Sequence, residues 1–177
     1  MKLEEKITTE QTIYSGKVIN VKKYGVSLPD GGQSVREEVE HSGGAAVLAV
    51  SDDCVYLVKQ FRLSMNKVVY EIPAGKLEKG EMPLYSAQRE LQEETGLKAK
   101  KWTKICSVAP SPGYTNEIIH VFRAEEFEKG DMHLDKDEFL SVEKMSLKTA
   151  YEMVDNGEIY DAKTVIALLY LKSLSNI

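Results

Sequence analysis

Long apolar segments are missing from this sequence. No window approaches the roughly eighteen uninterrupted apolar residues that a membrane-spanning helix needs. The N-terminal stretch MKLEEKITTEQ carries charges from its second residue and has no apolar segment of the kind that a secretory signal contains. We therefore expect neither export nor membrane insertion, and the cytoplasm is the expected compartment.

Runs of basic residues are also missing. The chain has 23 Lys and Arg side chains against 28 Asp and Glu, which gives a formal charge of -5. Proteins that follow the phosphates of a nucleic acid cluster their basic residues on one surface. Because no segment shows such a cluster, we expect no large nucleic acid among the partners.

Cysteine is scarce, with only Cys54 and Cys106 in the chain. Each lies in an apolar segment without a neighbouring His or a second Cys, a pattern that favours neither a zinc site nor a disulfide framework. A buried free cysteine packs as a small hydrophobic side chain. We predict that both are thiols of the core.

The chain has enough length, 177 residues, for one well-filled core. From Thr12 to Val50 apolar and polar residues alternate around the turn residues PDGG, which predicts antiparallel hairpins. The short apolar runs AAVLAV and CVYLVKQF predict a central hairpin whose strands are buried on both faces. We expect an N-terminal β region over residues 1–42 and a second domain over residues 43–177.

Helix signals follow these strands. Pro83 suits a first helical position and Gly96 lies just beyond a last one, so a helix is predicted near residues 83–95. Strands are predicted at WTKICSVAP, at EIIHVFRAEEF and near residues 139–142, and two helices in the tail are separated at NGEIYD. Together these elements predict an α/β fold in which helices flank a mixed sheet.

An acidic stripe marks the predicted helix. Glu90, Glu93 and Glu94 stand at i, i+3 and i+4 and share one face. Like charges at this spacing cost about 0.2–0.5 kcal/mol per pair, and Arg89 offsets only part of the repulsion. Hard divalent ions bind carboxylate oxygens and share them with substrate phosphates, so the stripe suits a phosphate-handling metal site. Taken alone, such a stripe is more often a solvated acidic face.

The spacing around the glutamates is specific. Gly75, five residues, Glu81, seven residues and then RELQEETGL from Arg89 to Leu97 reproduce every fixed position of the Nudix box. The sequence therefore resembles the Nudix hydrolases, which cleave nucleoside diphosphates linked to another moiety. The resemblance implies the Nudix fold, an α/β/α sandwich with the motif as loop, helix and loop.

The resemblance also implies roles for individual positions. The implied metal ligands, or organisers of metal-bound water, are Glu90, Glu93, Glu94 and the backbone carbonyl of Ala74. Arg89 would orient the glutamates, so Arg89 and Glu93 count among the predicted catalytic residues. Gly75 and Gly96 would serve backbone geometry. Glu81 fills a fixed position of the motif, where both loop stabilisation and metal contact remain open.

Outside the box, the segments LVKQFRLSMNKVVYEIPAG, SPGYTNE and IYDAKTVIALL resemble the ADP-ribose pyrophosphatase branch of the family. The substrate-binding residues that this implies are Arg62, Glu71, Gly75, Pro112, Gly113 and Glu117. Arg62 matches a substrate-contacting arginine, and its guanidinium suits a bidentate grip on a diphosphate; the alternative is a surface arginine at a strand end. Glu71 would accept from a ribose or adenine, or pair with a lysine. Pro112 matches a marker of the branch, and Glu117 a residue near the adenosine ribose, with loop capping as its alternative.

The segment EKGDMHLDKDEF corresponds to an acidic loop that, in this branch, closes over the metal site and supplies a ligand or a general base. It holds Asp131, Asp135, Asp137 and Glu138. A carboxylate hydrogen-bonded to a metal-activated water is a reasonable base. We predict Glu138 as the catalytic base, with Asp137 second; the alternative is a merely solvated loop.

The activity that the resemblance implies is Mg²⁺-dependent hydrolysis of ADP-ribose to AMP and ribose 5-phosphate, with Mn²⁺ as the alternative ion. Two other functions remain open. One is a pyrophosphatase for another nucleoside diphosphate sugar, such as ADP-glucose or GDP-mannose, and the other is a non-catalytic domain that senses ADP-ribose. In the related enzymes the N-terminal strands are exchanged between two subunits. A homodimer is therefore expected, with residues 1–42 exchanged and the Nudix domain over residues 43–177.

Overall fold

The computed structural model describes residues 2–134 and 136–174, and these fall into two compact units. The first unit is the chain up to Gly43 together with Ala109–Ile118. The second is Gly44–Val108 together with the chain from Ile119 onward. The short segment 109–118 thus belongs with the N-terminal strands, although it lies far from them in sequence.

The first unit is a three-stranded antiparallel sheet. Its strands, in spatial order, are β1 (Lys6–Ser15), β2 (Asn20–Ser27) and β3 (Gln33–Glu40). The predicted hairpins are confirmed, with Gly31 at φ 89° in the turn between β2 and β3. The sequence pattern predicted strands from Thr12 onward, but β1 begins at Lys6. All side chains of β1 are exposed, so the strand has no apolar alternation that would mark its start.

The second unit is built on a seven-stranded mixed sheet. Its strands are β4 (Gly44–Ser51), β5 (Cys54–Arg62), β6 (Lys67–Glu71), β7 (Ala74–Lys76), β8 (Leu97–Val108), β9 (Ile119–Lys129) and β10 (Leu140–Ser146). The main order is β10-β5-β4-β9-β8, with β6 beside β5 and β7 beside β4. β4 pairs in parallel with β9, and the other pairs are antiparallel. β7 pairs with the start of the central strand β4, where Gly44 is opposite Lys76 and Ala46 is opposite Ala74.

Helices cover both faces of this sheet. They are α1 (Pro83–Thr95), α2 (Leu147–Asp155) and α3 (Ala162–Leu174). Alternate residues of β4 point to opposite sides, so that Ala46 and Leu48 pack with α2 and α3, while Ala45 and Val47 pack with α1. The predicted α/β/α sandwich is confirmed. Burial on both faces holds for β4 but not for β5, whose Phe61 is 53% exposed.

The helix that carries the acidic stripe starts and ends as predicted. Pro83 occupies its first turn, where a missing N–H costs nothing. Gly96 ends it in the left-handed conformation at φ 68°, and its N–H donates to the carbonyl of Gln92 at 2.8 Å. Leu91 is fully buried, a contribution of about 2 kcal/mol for such a side chain.

Other details differ from the sequence prediction. Cys54 and Cys106 are free but only partly buried, so they are not core thiols; Cys106 packs at the border of the core cluster under α2 and α3. The strand expected near residues 139–142 extends over Leu140–Ser146. Among the described helices, none combines the length and apolar character needed to cross a membrane.

Candidate active site

Helix α1 carries two buried carboxylates. Glu90 and Glu94 are only 8% and 2% exposed, although both belong to the acidic stripe. Ala87 and Leu91 pack against β4 and hold the helix close to the sheet, which brings both carboxylates to β7. Burying a charged group is costly unless it is paired, so the partners of these glutamates decide what the site can do.

Arg89 is the cation at the centre of the stripe. Its Nη1 donates to Oε1 of Glu90 at 2.7 Å and to Oε2 of Glu93 at 2.9 Å. Its Nε and Nη2 donate to the two oxygens of Glu81, both at 3.1 Å. These bonds, with that to Glu81 first, raise the pKa of Arg89, and Arg89 in turn lowers the pKa of Glu81. The arrangement is the one expected of a residue that orients the glutamates.

Glu81 also braces the loop before the helix. Its Oε2 accepts from the backbone N–H of Glu78 at 3.0 Å, in addition to the contact with Arg89. Of the two roles that the sequence left open for Glu81, these contacts correspond to loop stabilisation.

Strand β7 touches both buried carboxylates through its backbone. A Cβ built on Gly75 would stand 1.9 Å from Oε1 of Glu90, so a side chain here would displace that carboxylate. The N–H of Ala74 donates to Oε2 of Glu94 at 3.0 Å. The amide of Ala74 thus holds Glu94 in place, and the role of its carbonyl as a metal ligand stays a prediction from the family resemblance.

The stripe holds more negative charge than its partners offset. Burial, followed by the charge of Glu90, raises the pKa of Glu94 to about 8. Burial also raises the pKa of Glu90, against the opposing charge and hydrogen bond of Arg89. A cation close to both groups would lower both pKa values, so the electrostatics favour a site that takes up a cation.

The donor chemistry fits a hard divalent ion. Carboxylate oxygens are the ligands that such ions prefer, and Glu90, Glu93 and Glu94 supply them. Within residues 2–134 and 136–174, no three acidic, histidine or cysteine side chains form a ready-made metal cluster. Glu90 and Glu93 are instead held by Arg89, and Glu94 by the amide of Ala74.

The acidic loop is attached to the end of α1. The N–H of His133 donates to the carbonyl of Glu93 at 3.0 Å. Glu138 is exposed, and its negative charge contributes to the raised pKa values of Glu90 and Glu94. Asp131 and Asp137 are exposed, and Asp135 lies outside the described residues. Among the described candidates for a base, Glu138 is among the groups that contribute most to these two pKa shifts.

Arg62 and Glu71 form one unit. Arg62 ends β5, and its Nε and Nη2 donate to the two carboxylate oxygens of Glu71 at 2.6 and 2.9 Å. Lys163 also donates to Oε2 of Glu71, so the pairing with a lysine is observed. Burial alone would raise the pKa of Glu71, but the hydrogen bonds and charges of Arg62 and Lys163 outweigh it and lower the pKa to about 2. Glu94 adds to the raised pKa of Arg62, which links Arg62 to the glutamate site.

The remaining predicted substrate residues lie in the first unit. Pro112 and Gly113 form a turn, and the carbonyl of the next residue, Tyr114, accepts from the N–H of Val39 at 2.7 Å. Glu117 lies 3.4 Å from Nδ1 of His41. The structure thus groups these residues with the N-terminal strands of the first unit.

Sequence reasoning missed the residues of α3 that reach Glu71. Lys163 is 11% exposed, and its Nζ also donates to Oδ1 of Asp161 at 3.0 Å. The only local signal is the pattern DAKT, in which Asp161 caps the helix by accepting from the N–H of Thr164 at 3.1 Å. The signal indicates a helix start, but it does not name Glu71 as the partner.

Known proteins are similar to this chain over most of its length. The NUDIX domain model matches residues 40–168. An ADP-ribose pyrophosphatase of Bacillus subtilis is 50% identical over 96% of this chain and 94% of its own length. A methanol dehydrogenase activator of Bacillus methanolicus is 42% identical over 96% and 93%.

A solved structure described as an ADP compounds hydrolase superposes with a TM-score of 0.88 at 19% identity, and covers 99% of this chain and 97% of that one. At this identity the likeness concerns the fold alone, and it agrees with the sandwich described above. Since the family model matches most of the chain and includes the box from Gly75 to Leu97, the protein belongs to the Nudix hydrolase family.

Proposed function

We propose that this protein hydrolyses the diphosphate of ADP-ribose to AMP and ribose 5-phosphate. The observation that carries the proposal is the pair of buried carboxylates, Glu90 and Glu94, whose raised pKa values mark an excess of negative charge beside Arg62. A relative named ADP-ribose pyrophosphatase, 50% identical over nearly the whole chain, supports the choice of substrate.

We propose Mg²⁺ as the ion, held by Glu90, Glu93 and Glu94. When bound, it would neutralise phosphate charge and lower the pKa of a coordinated water. Arg89 keeps Glu90 and Glu93 oriented through its Nη1, so the oxygens that hold the ion start from defined positions.

In the proposed reaction, a water oxygen bonds to one phosphorus while the bond from that phosphorus to the bridging oxygen breaks. The bridging oxygen leaves with the other phosphate. Glu138 accepts the proton of the water, as an exposed carboxylate within electrostatic reach of Glu90 and Glu94. Arg62 stabilises charge on the phosphate oxygens with the part of its guanidinium that Glu71 leaves open.

A substrate panel tests this proposal. The purified protein is incubated with Mg²⁺ and, separately, with ADP-ribose, ADP-glucose, GDP-mannose, NADH and diadenosine polyphosphates, and the products are quantified. We expect the highest kcat/KM for ADP-ribose, with AMP and ribose 5-phosphate in equal amounts. A higher kcat/KM for another panel member would replace the substrate, and binding of ADP-ribose without any turnover would identify a sensor.

A second candidate function is the activation of a dehydrogenase. It is favoured by the relative named methanol dehydrogenase activator, which is 42% identical over 96% of this chain. The test adds the protein to a purified methanol dehydrogenase and measures the rate of methanol oxidation, with Glu94→Gln in parallel. A rate increase that the variant lacks would support an activating role that uses the same site.

We also propose that the protein is a cytoplasmic homodimer. Ile7, Ile13, Tyr14 and Val18 are each more than half exposed in the first unit, which supports a partner surface there. Sedimentation equilibrium should give twice the chain mass for the wild type and a monomer for the double variant Ile7→Asp, Ile13→Asp. A wild-type monomer would contradict the proposal.

A further inference from the structure

We propose that Lys163, in the first turn of α3, is a positioning residue that fixes the direction in which Arg62 meets the substrate diphosphate. The inference rests on the proposed function, because it assumes that Arg62 grips a diphosphate. It adds a part of the molecule that the Nudix box does not include, since α3 lies well beyond Leu97.

Two cations hold the carboxylate of Glu71. Its side chain is 4% exposed, and both of its oxygens accept hydrogen bonds from cations. Arg62 takes Oε1 through Nε and Oε2 through Nη2, while Lys163 takes Oε2 as well. A buried carboxylate with two cationic partners has a single favourable orientation. Glu71 therefore holds the guanidinium of Arg62 in one orientation.

Lys163 is held in turn by Asp161, which also contacts Thr164. Its Nζ donates to Asp161, whose other oxygen accepts from the hydroxyl of Thr164 at 2.6 Å. That hydroxyl oxygen accepts from the N–H of Ile72, the residue after Glu71, at 2.8 Å. The contacts thus form a closed ring that starts and ends on adjacent residues of one strand end. Thr164 and Ile72 are fully buried, so the ring is part of the packed structure.

Arg62 has an edge of its guanidinium that does not contact Glu71. Its side chain is 42% exposed, although Nε and Nη2 are directed at Glu71. The remaining N–H groups of this planar fork point away from Glu71, in a direction that Glu71 sets. If Lys163 loses its charge, Glu71 has one cation instead of two and can rotate, and Arg62 rotates with it. The expected consequence is a weaker grip on the diphosphate in an otherwise intact site.

The experiment compares Lys163→Met with Lys163→Arg and with Lys172→Met. Lys172 lies on the same helix but pairs with the exposed Asp155 at 3.6 Å, so it is the matched control. For each protein, kcat and KM for ADP-ribose are measured, together with the Kd of its non-hydrolysable α,β-methylene analogue in Mg²⁺. Thermal unfolding confirms that each variant is folded. Asp161→Asn, which weakens one anchor of Lys163, replaces Lys163→Met if that variant does not fold.

We expect KM and Kd to rise about tenfold in Lys163→Met, the scale on which outer-shell partners of a site act, while kcat changes less. Lys163→Arg should recover most of the affinity, and Lys172→Met should match the wild type. In an Arg62→Met background, the Lys163 substitution should raise Kd no further, because its effect passes through Arg62.

Two results would overturn the inference: an unchanged Kd in Lys163→Met, or an equal rise in the presence and absence of Arg62. Either result leaves the proposed function standing, provided that the wild type cleaves ADP-ribose. If the wild type neither cleaves ADP-ribose nor binds its analogue, the proposed function itself fails. The wild-type measurement therefore separates the two failures.

Discussion

Two arginines of this molecule meet glutamates in opposite ways. Arg89 is surrounded by acceptors and donates to Glu81, Glu90 and Glu93. Among the described hydrogen bonds, the buried Glu94 accepts from the amide of Ala74 and from no cation. Arg62 donates to a single glutamate, Glu71, which Lys163 and Arg62 share. In the described hydrogen bonds, the first region offers one cation, Arg89, to three carboxylates, whereas the second offers two cations to Glu71.

This difference shows in the pKa values. In the first region burial wins, and the pKa of Glu94 rises to about 8. In the second region the cations win, and the pKa of Glu71 falls to about 2. A region with an excess of negative charge can take up a cation together with its substrate. A region whose charges are balanced instead holds a side chain, here Arg62, in a fixed orientation. A variant that changes the charge of the first region should therefore affect different measurements from a variant that changes the charge of the second.

The largest effect is expected from Glu94→Gln in the first region. The amide oxygen can still accept from Ala74, so the fold should remain, but the charge that favours a cation is lost. We expect kcat/KM for ADP-ribose to fall by about 10²–10³, the range for loss of one group that stabilises transition-state charge. Glu143→Gln, which changes an exposed ion pair with Lys59, is the control. Near wild-type turnover in Glu94→Gln would refute the role in binding the ion.

Arg89→Met should have the next largest effect. It removes the only cation among the described contacts of Glu90 and Glu93, so both carboxylates lose their fixed orientation. We expect the affinity for Mg²⁺, measured by calorimetry, to fall by about 10–100-fold, as for loss of an outer-shell partner. Lys101→Met removes an exposed cation on β8 and should leave it unchanged. Unchanged affinity in Arg89→Met would mean that the ion is held elsewhere.

Gly75→Ala tests the close approach of β7 to Glu90. The new Cβ would meet the end of a flexible side chain, which can move, so we expect a small loss of stability. The moved carboxylate should lower kcat/KM by about tenfold. In the control Gly130→Ala, the Cβ meets only the Lys98 side chain. If the two alanine variants are equally active, the position of the Glu90 carboxylate does not matter.

In the balanced region the expected effect appears in the pH dependence of stability. The folded pKa of Glu71, about 2, lies below its ordinary 4.5. Its contribution is therefore complete above pH 4.5 and is lost as the pH falls to about 2. The difference in unfolding free energy between wild type and Glu71→Gln should shrink over this window by roughly 3 kcal/mol. Urea titrations at several pH values measure it, and a constant difference would contradict the assignment.

The sequence predicted the helix of the stripe well because its signals are local. Pro83 and Gly96 mark the two ends of α1, and the continuous apolar run along β4 marks a strand buried on both faces. The start of β1 could not be predicted in this way, since a strand whose side chains are all exposed has no apolar pattern. The position of the segment 109–118 was also out of reach, because its contact with Val39 joins distant parts of the chain.

The candidate site divides along the same line. Arg89 and its glutamates lie within one helix and the preceding loop, so their spacing in the sequence already indicates their contacts. Glu71 and Lys163 are 92 positions apart, and nothing in their neighbourhoods pairs them. The orientation of the Arg62 side chain depends on that pair. It can therefore be inferred only from a structure, in which β6 and α3 are in contact.

The measurement that tests the central claim most directly is a Mg²⁺ titration of the metal-free protein with ADP-ribose present. We expect AMP and ribose 5-phosphate in equal amounts, at a rate that rises with Mg²⁺ and saturates. We expect Glu94→Gln to require more Mg²⁺ and to turn over more slowly. Turnover that does not depend on a divalent ion, or a titration that Glu94→Gln leaves unchanged, would contradict the claim.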